Sequence, residues 1–113
     1  MSTISSNLKK SCTAIMLLSL LSEGDSYGYQ LTQTIKKRTN ELITLLEGSM
    51  YTILYRLIED GDIESYEVQT GPRMVRVYYK ITEKGISHLD EMKSEFTTQL
   101  KAYDTLIHFM KDM

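Results

Sequence analysis

Ser49, Thr52, Tyr55 and Arg56 fall on one broad face of a helix, opposite the apolar set Ile53, Leu54 and Leu57. Hydroxyls at this spacing bond phosphates or base edges, and a guanidinium bridges two acceptors at once. Tyr51 occupies the same two turns, and the helix start at Ser49 offers backbone N–H groups to an anion. A second group follows. Thr70, Gly71, Pro72, Arg73 and Arg76 surround a Gly-Pro turn and form a compact basic projection, suited to a minor groove or its flanking phosphates. Lys9 and Lys10 precede a long apolar run and add cations within reach of a nucleic-acid backbone. This chemistry is recognition of double-stranded DNA; it makes and breaks no bonds.

The residues needed for catalysis do not assemble. His88 and His108 stand twenty apart, read as surface residues, and no histidine or cysteine sits at metal-ligand spacing. There is no Gly-rich phosphate loop after a strand and no G-x-S-x-G elbow. The acids Glu59, Asp60, Asp62 and Glu64 cluster where no cleft is indicated and read as a solvated surface. No enzyme activity, metal or cofactor is expected.

The elements that must hold the recognition residues follow from period and punctuation. Leu8, Cys12, Ile15, Met16 and Leu20 recur at helical steps, predicting a first helix from Leu8 to Ser22 with a stop at Gly24. A second helix is predicted to start after Asp25-Ser26, either of which can cap it, and to reach Arg38 through Tyr27, Leu31 and Ile35. Residues 39–47 read as either a short helical turn or a strand. The third helix is predicted to open at Gly48-Ser49, with Ser49 as its cap, and to end at Gly61. The period then becomes two. Tyr66 and Val68, then Val75, Val77, Tyr79 and Ile81, alternate with polar neighbours around Gly71-Pro72, which predicts a β-hairpin. Thr82-Glu83 caps a long final helix.

This order predicts a mainly α chain with a small β-hairpin (α+β). Residues 1–81 read as a winged helix-turn-helix DNA-binding domain and 82–113 as a C-terminal dimerisation helix. In the last helix Leu89, Phe96, Tyr103 and Met110 fall seven apart, flanked by Met92, Leu100, Leu106 and Ile107. A helix of roughly 30 residues, ~45 Å long, presents a longer apolar stripe than the small core can cover. A second copy of the chain is the economical partner; folding back onto its own domain is the alternative.

Bulk properties narrow the class further. The 113 residues suit one domain, and 42% apolar with 25% charged residues excludes disorder and fibrous composition. The single Cys12 permits no intrachain disulfide and reads as a buried thiol of a cytoplasmic protein. The run from Ala14 to Leu21 is too short to span a bilayer, and no signal cleavage site follows it, so no membrane association is expected. A net charge of −2 argues mildly against DNA, but its distribution does not. Residues 1–22 hold two lysines and no acid, residues 65–80 hold three basic groups against one acid, and the acids collect elsewhere.

Several motifs in register resemble the PadR family of bacterial winged-helix transcriptional regulators. They are Gly24-Asp-Ser-Tyr-Gly-Tyr-Gln-Leu31, Glu47-Gly-Ser-Met-Tyr-Thr-Ile-Leu-Tyr-Arg-Leu57, Asp60-Gly-Asp-Ile63, Gly71-Pro-Arg73 and Val77-Tyr-Tyr-Lys-Ile-Thr-Glu-Lys-Gly85. One departure is visible: Met74-Val75-Arg76-Val77 intervenes before the Tyr-Tyr pair, where the family often carries its basic residue directly. The resemblance implies a dimeric repressor of the compact class, with its third helix in a major groove and its C-terminal helices joined. It also implies relief by a small apolar or aromatic compound or by stress. A ligand pocket at the dimer interface would use Met92, Phe96, Tyr103, Phe109 or Met110, though the same residues read first as a plain seam. Tyr27 and Tyr29 match the aromatic positions that open the family's second helix; Tyr27 is read as a phosphate contact and Tyr29 as packing. The competing function is a winged-helix module that binds another protein and never touches DNA.

Overall fold

The computed structural model describes residues 3–110, with side chains from Lys10 onward. The chain runs α1 (Thr3–Glu23), β1 (Ser26–Tyr27), α2 (Gly28–Arg38), α3 (Glu47–Glu59), β2 (Ile63–Gly71), β3 (Met74–Ile81) and α4 (Glu83–Ile107). Leu17, Leu18 and Leu21 of α1 meet Leu31 and Ile35 of α2 and Met50, Ile53, Leu54 and Leu57 of α3 in one core, closed by Ile63, Tyr79 and Leu89. The α1 stripe is rotated from the predicted one. Leu17, Leu18 and Leu21 are buried, while Cys12, Ile15, Met16 and Leu20 are only partly covered. The run from Ala14 to Leu21 is apolar on nearly every side, so spacing alone could not choose its inner face. Cys12 is a free, half-buried thiol.

The predicted hairpin gains a third strand. Ser26 and Tyr27 pair antiparallel with Tyr79 and Tyr78, giving the order β1-β3-β2. This corrects the start of the second helix, which begins at Gly28 after an extended Tyr27, with no side-chain cap from Asp25 or Ser26. Helix α3 likewise starts earlier than predicted, at Glu47, with Leu46 at its cap position and no side-chain cap, so Ser49 lies inside the first turn. Residues 39–46 form neither helix nor strand; Asn40 and Glu41 adopt left-handed backbone conformations.

Helix α3 ends in a paired turn. The amide of Gly61 donates to Ile58 O and that of Asp62 to Leu57 O, with Gly61 at φ +80°. That is the Schellman arrangement, in which the left-handed residue favours glycine and the next residue folds back onto the helix. The residue folded back here is Asp62, which is 0% exposed. Its burial overturns the reading of Asp62 as solvated surface, whereas Glu59, Asp60 and Glu64 are exposed.

Thr82 caps α4 as predicted, its Oγ1 accepting from the Gly85 amide at 3.0 Å and donating to Gly61 O at 2.7 Å. The first turns of α4 belong to the core, since Leu89 is 3% exposed and Met92 packs beside it. Its far end projects, and the molecule measures 57 Å along its longest axis. Among the described residues no helix is long and apolar enough to cross a membrane. No cluster of three metal-ligating side chains occurs among them either.

Candidate nucleic-acid interface

Helix α3 turns Met50, Ile53, Leu54 and Leu57 inward, which leaves Ser49, Thr52, Tyr55 and Arg56 exposed. The polar face read from the spacing is therefore present and open. Arg56 forms no ion pair among the described residues, so its guanidinium is free to meet an anion. Thr52 donates its hydroxyl to Gly48 O at 3.1 Å and keeps its lone pairs outward as acceptors.

Tyr51 does not share that freedom. Its ring is half-buried against α2, where a Cβ at Gly28 would collide with the Tyr51 phenol. Burial raises the Tyr51 phenol above its usual pKa, with the Glu47 carboxylate adding to the effect. Tyr55 stacks on it with centroids 6.4 Å apart and an interplanar angle of 28°. Tyr51 thus packs α3 against α2, and Tyr55, 59% exposed, is the aromatic ring that α3 presents outward.

At the wing, Pro72 and Arg73 form the two-residue turn between β2 and β3, and a register irregularity lies between Gln69 and Gly71. Met74 to Val77 continue β3 and lengthen the wing, so no loop intervenes before the Tyr-Tyr pair. Thr70 and Arg73 are exposed at the tip, and Arg73 forms no ion pair among the described residues. Arg76 is elsewhere. It lies down the strand opposite Val68, with its guanidinium carbon 4.3 Å from the centre of the Tyr27 ring. The grouping of Arg76 with the tip residues is therefore corrected.

The outer sheet face carries an aromatic row that the sequence reading missed. Tyr27 meets Tyr78 edge-on at 5.4 Å, and Tyr78 stacks on Tyr66 at 5.7 Å and 15°. Tyr66 Oη donates to Asp25 Oδ2 at 2.6 Å, which raises the phenol above its ordinary range. Tyr79 points to the opposite, buried face, and desolvation raises its phenol as well. Only Tyr78 of the pair faces outward, as alternation requires. Tyr29, expected to pack, is instead 58% exposed. It lines a shallow depression of about 220 Å³ with Tyr27, Gln30, Gln33, Thr34 and Lys37. The polar flank of α2 was legible as Gln30, Gln33 and Lys37 at helical spacing, but Tyr27 diverted the reading toward an apolar stripe.

Lys10 is exposed, whereas Lys9 lies outside the residues whose side chains are described. A groove of about 610 Å³ runs between α1, residues 42–46 and α3, with Met16, Leu42, Leu46 and Ile53 on its apolar side and Lys10, Ser49 and Thr52 on its polar side. Of the candidate dimer residues, Leu89 is buried in its own core and Met92 is packed against it. Phe96, Leu100 and Met110 are half-buried, and Tyr103, Leu106 and Ile107 are exposed.

The description of the transcriptional regulator PadR-like family matches residues 17–91, from the middle of α1 into α4. The chain belongs to that family. Its fold superposes on a transcriptional regulator from Clostridium thermocellum with a TM-score of 0.81 and 32% identity, covering 98% of this chain and 99% of the other. An uncharacterised protein from Lysinibacillus sphaericus is 35% identical over 81 residues, which is 72% of this chain and 74% of that protein. PadR from Bacillus subtilis, whose structure was determined in complex with operator DNA, shares the fold at TM-score 0.64 and 23% identity over 69% of this chain and 44% of its own. The PadR-like match spans every element that carries a candidate recognition residue except α1 before residue 17, where Lys9 and Lys10 lie. A family of transcriptional regulators also agrees with the absence of a catalytic set in the sequence.

Proposed function

We propose that this PadR-like protein is a homodimeric repressor that binds a pseudo-palindromic operator. Each copy lays the N-terminal half of α3 in a major groove and its wing tip along the flanking minor groove. The observation that carries the reading is the open polar face of α3, with Ser49, Thr52, Tyr55 and Arg56 exposed and Arg56 unpaired among the described residues. Arg73 at the wing tip and Lys10, inside the N-terminal part of α1, add cations that support this reading, with Lys9 assigned to the same role. Dimer symmetry sets half-sites about one helical turn, ~34 Å, apart.

The exposed Tyr103, Leu106 and Ile107 supply the seam between copies, continued by Phe96, Leu100 and Met110. Relief of repression by a small apolar or aromatic ligand has a physical route through the groove beside α3. A molecule seated there touches Ser49 and Thr52 themselves.

A gel shift with the upstream region of the protein's own gene, at moderate salt with competitor DNA, tests the reading. A sequence-selective shift at nanomolar protein is the expected result. No shift at micromolar protein supports the protein-interaction module instead.

A further inference from the structure

Arg76 is exposed, yet it is not a free cation. Its guanidinium lies 4.3 Å over the Tyr27 ring, and Tyr27 is itself held edge-on by Tyr78 at 5.4 Å. Tyr78 is stacked on Tyr66, whose hydroxyl is anchored on Asp25 just before β1. Four contacts therefore join the wing strands to the entrance of α2, on the sheet face away from the hydrophobic core. The core does not require them, because the buried side of this sheet is closed by Ile63 and Tyr79.

We propose that Tyr27 is a positioning residue that pre-orients Arg76 toward a DNA backbone phosphate at the base of the wing, and that Tyr66 and Asp25 hold the platform. An arginine on a free strand loses rotamer freedom when it grips a phosphate. A guanidinium already stacked on an aromatic face keeps its N–H edge open and has lost that freedom before DNA arrives. Among the described residues Arg73 at the turn has no such ring beneath it. The two wing arginines thus have different tasks: Arg73 supplies a mobile charge at the tip, and Arg76 a fixed donor fork beside the start of α2. This rests on the reading of the chain as a DNA binder.

The test is a double-mutant cycle on an operator fragment that the wild-type protein selects from random-sequence DNA. Arg76→Ala is expected to weaken binding and lower the slope of log K against log salt by about 0.9, one phosphate contact. Tyr27→Leu is expected to weaken binding roughly two- to fivefold, the scale of an exposed cation–π contact, with the slope retained. Tyr27→Phe keeps the ring and should bind more tightly than Tyr27→Leu; equal losses in the two variants overturn the role of the ring. Adding Tyr27→Leu to Arg76→Ala should change nothing further. Equal losses from Tyr27→Leu in both backgrounds, or no loss in either, overturn the proposal.

A second readout needs no DNA. The Arg76 Hδ protons should be shifted upfield by the Tyr27 ring in wild type and in Tyr27→Phe, and return to ordinary positions in Tyr27→Leu. Absence of that shift overturns the positioning role alone. Failure of the wild-type protein to select any DNA overturns the functional reading, and the role of Arg76 with it.

Discussion

Asp62 Oδ2 lies 2.8 Å from His88 Nδ1, joining the turn after α3 to the second turn of α4 across 26 residues of sequence. The carboxyl is completely buried and the imidazole is 44% exposed, and among the described residues the histidine is the polar partner of that oxygen. Asp62 Oδ1 has no hydrogen-bond partner among the described residues. Close by, Gly85 leaves no room for a side chain against the Asp62 carbonyl, and Lys84 Nζ donates to Asp60 O. Helix α3 and the long C-terminal helix α4 are therefore joined at one point by polar contacts.

Removing the histidine should be costly. His88→Ala leaves the buried Asp62 carboxyl without its hydrogen-bond partner, and a loss of about 2 kcal/mol in urea unfolding is expected. Asp62→Asn should cost less, because its amide oxygen can still accept a hydrogen bond from the His88 ring. Replacing both, as Asp62→Leu with His88→Leu, should recover most of the stability. A His88→Ala loss within about 0.5 kcal/mol of zero, the range of ordinary surface substitutions, would show that the pair contributes nothing net.

How much of this was legible differs by element. The inward side of α3 and the Thr82 cap follow from local spacing and local hydrogen bonds, so the sequence displays them. Strand β1 has only Ser26 and Tyr27, too few residues to show a period, and it exists because Tyr78 and Tyr79 lie alongside. The same pairing explains why α2 starts late and why Tyr27 leaves the helical stripe. Asp62 sat among Glu59, Asp60 and Glu64 and shared their apparent character. The clue to its burial was Gly61, whose left-handed turn folds the next residue back onto α3. The candidate residues Ser49, Thr52, Tyr55 and Arg56 on α3 were readable because exposure there is the complement of the buried stripe. The partner of Arg76 was not, since it lies 49 positions away in sequence and meets it only through the sheet.

Arg73 gives a prediction that separates position from charge. Arg73→Ala should weaken operator binding broadly across sequences and lower the salt slope by about 0.9. Arg73→Lys should retain the slope, because the tip contact is a charge on a backbone and not a base-specific fork. Fluorescence anisotropy across a salt series measures both. An unchanged slope in Arg73→Ala would remove the wing tip from the interface.

Glu23 and Arg38 tie the end of α1 to the end of α2 through two bonds of 2.7 and 2.8 Å. The hydrogen bonds from Arg38 hold the Glu23 carboxyl below its ordinary pKa, and they hold the guanidinium above its own. A carboxyl whose folded-state pKa is depressed contributes stability above its unfolded pKa and loses it as pH falls through the folded one. Glu23→Gln should therefore be less stable than wild type near pH 7, with the gap closing below about pH 4. Both groups are exposed, so salt should narrow the gap at neutral pH. A gap that persists at pH 3, measured by thermal unfolding, would assign the effect to packing and not to the ion pair.

Leu89 and Leu106 lie on the same helix and should fail in opposite ways. Leu89 is 3% exposed inside its own protomer, so Leu89→Ala should cost about 3 kcal/mol of folding stability and leave the association state of the folded fraction unchanged. Leu106 is 79% exposed, so Leu106→Glu should leave the far-ultraviolet circular dichroism intact. If the exposed Leu106 and Ile107 form the seam between copies, the wild type sediments as a dimer and Leu106→Glu as a monomer. Operator affinity should then fall by more than about tenfold, because a single half-site is left to hold each reading helix. A Leu106→Glu protein that remains a dimer in sedimentation would move the seam away from the end of α4.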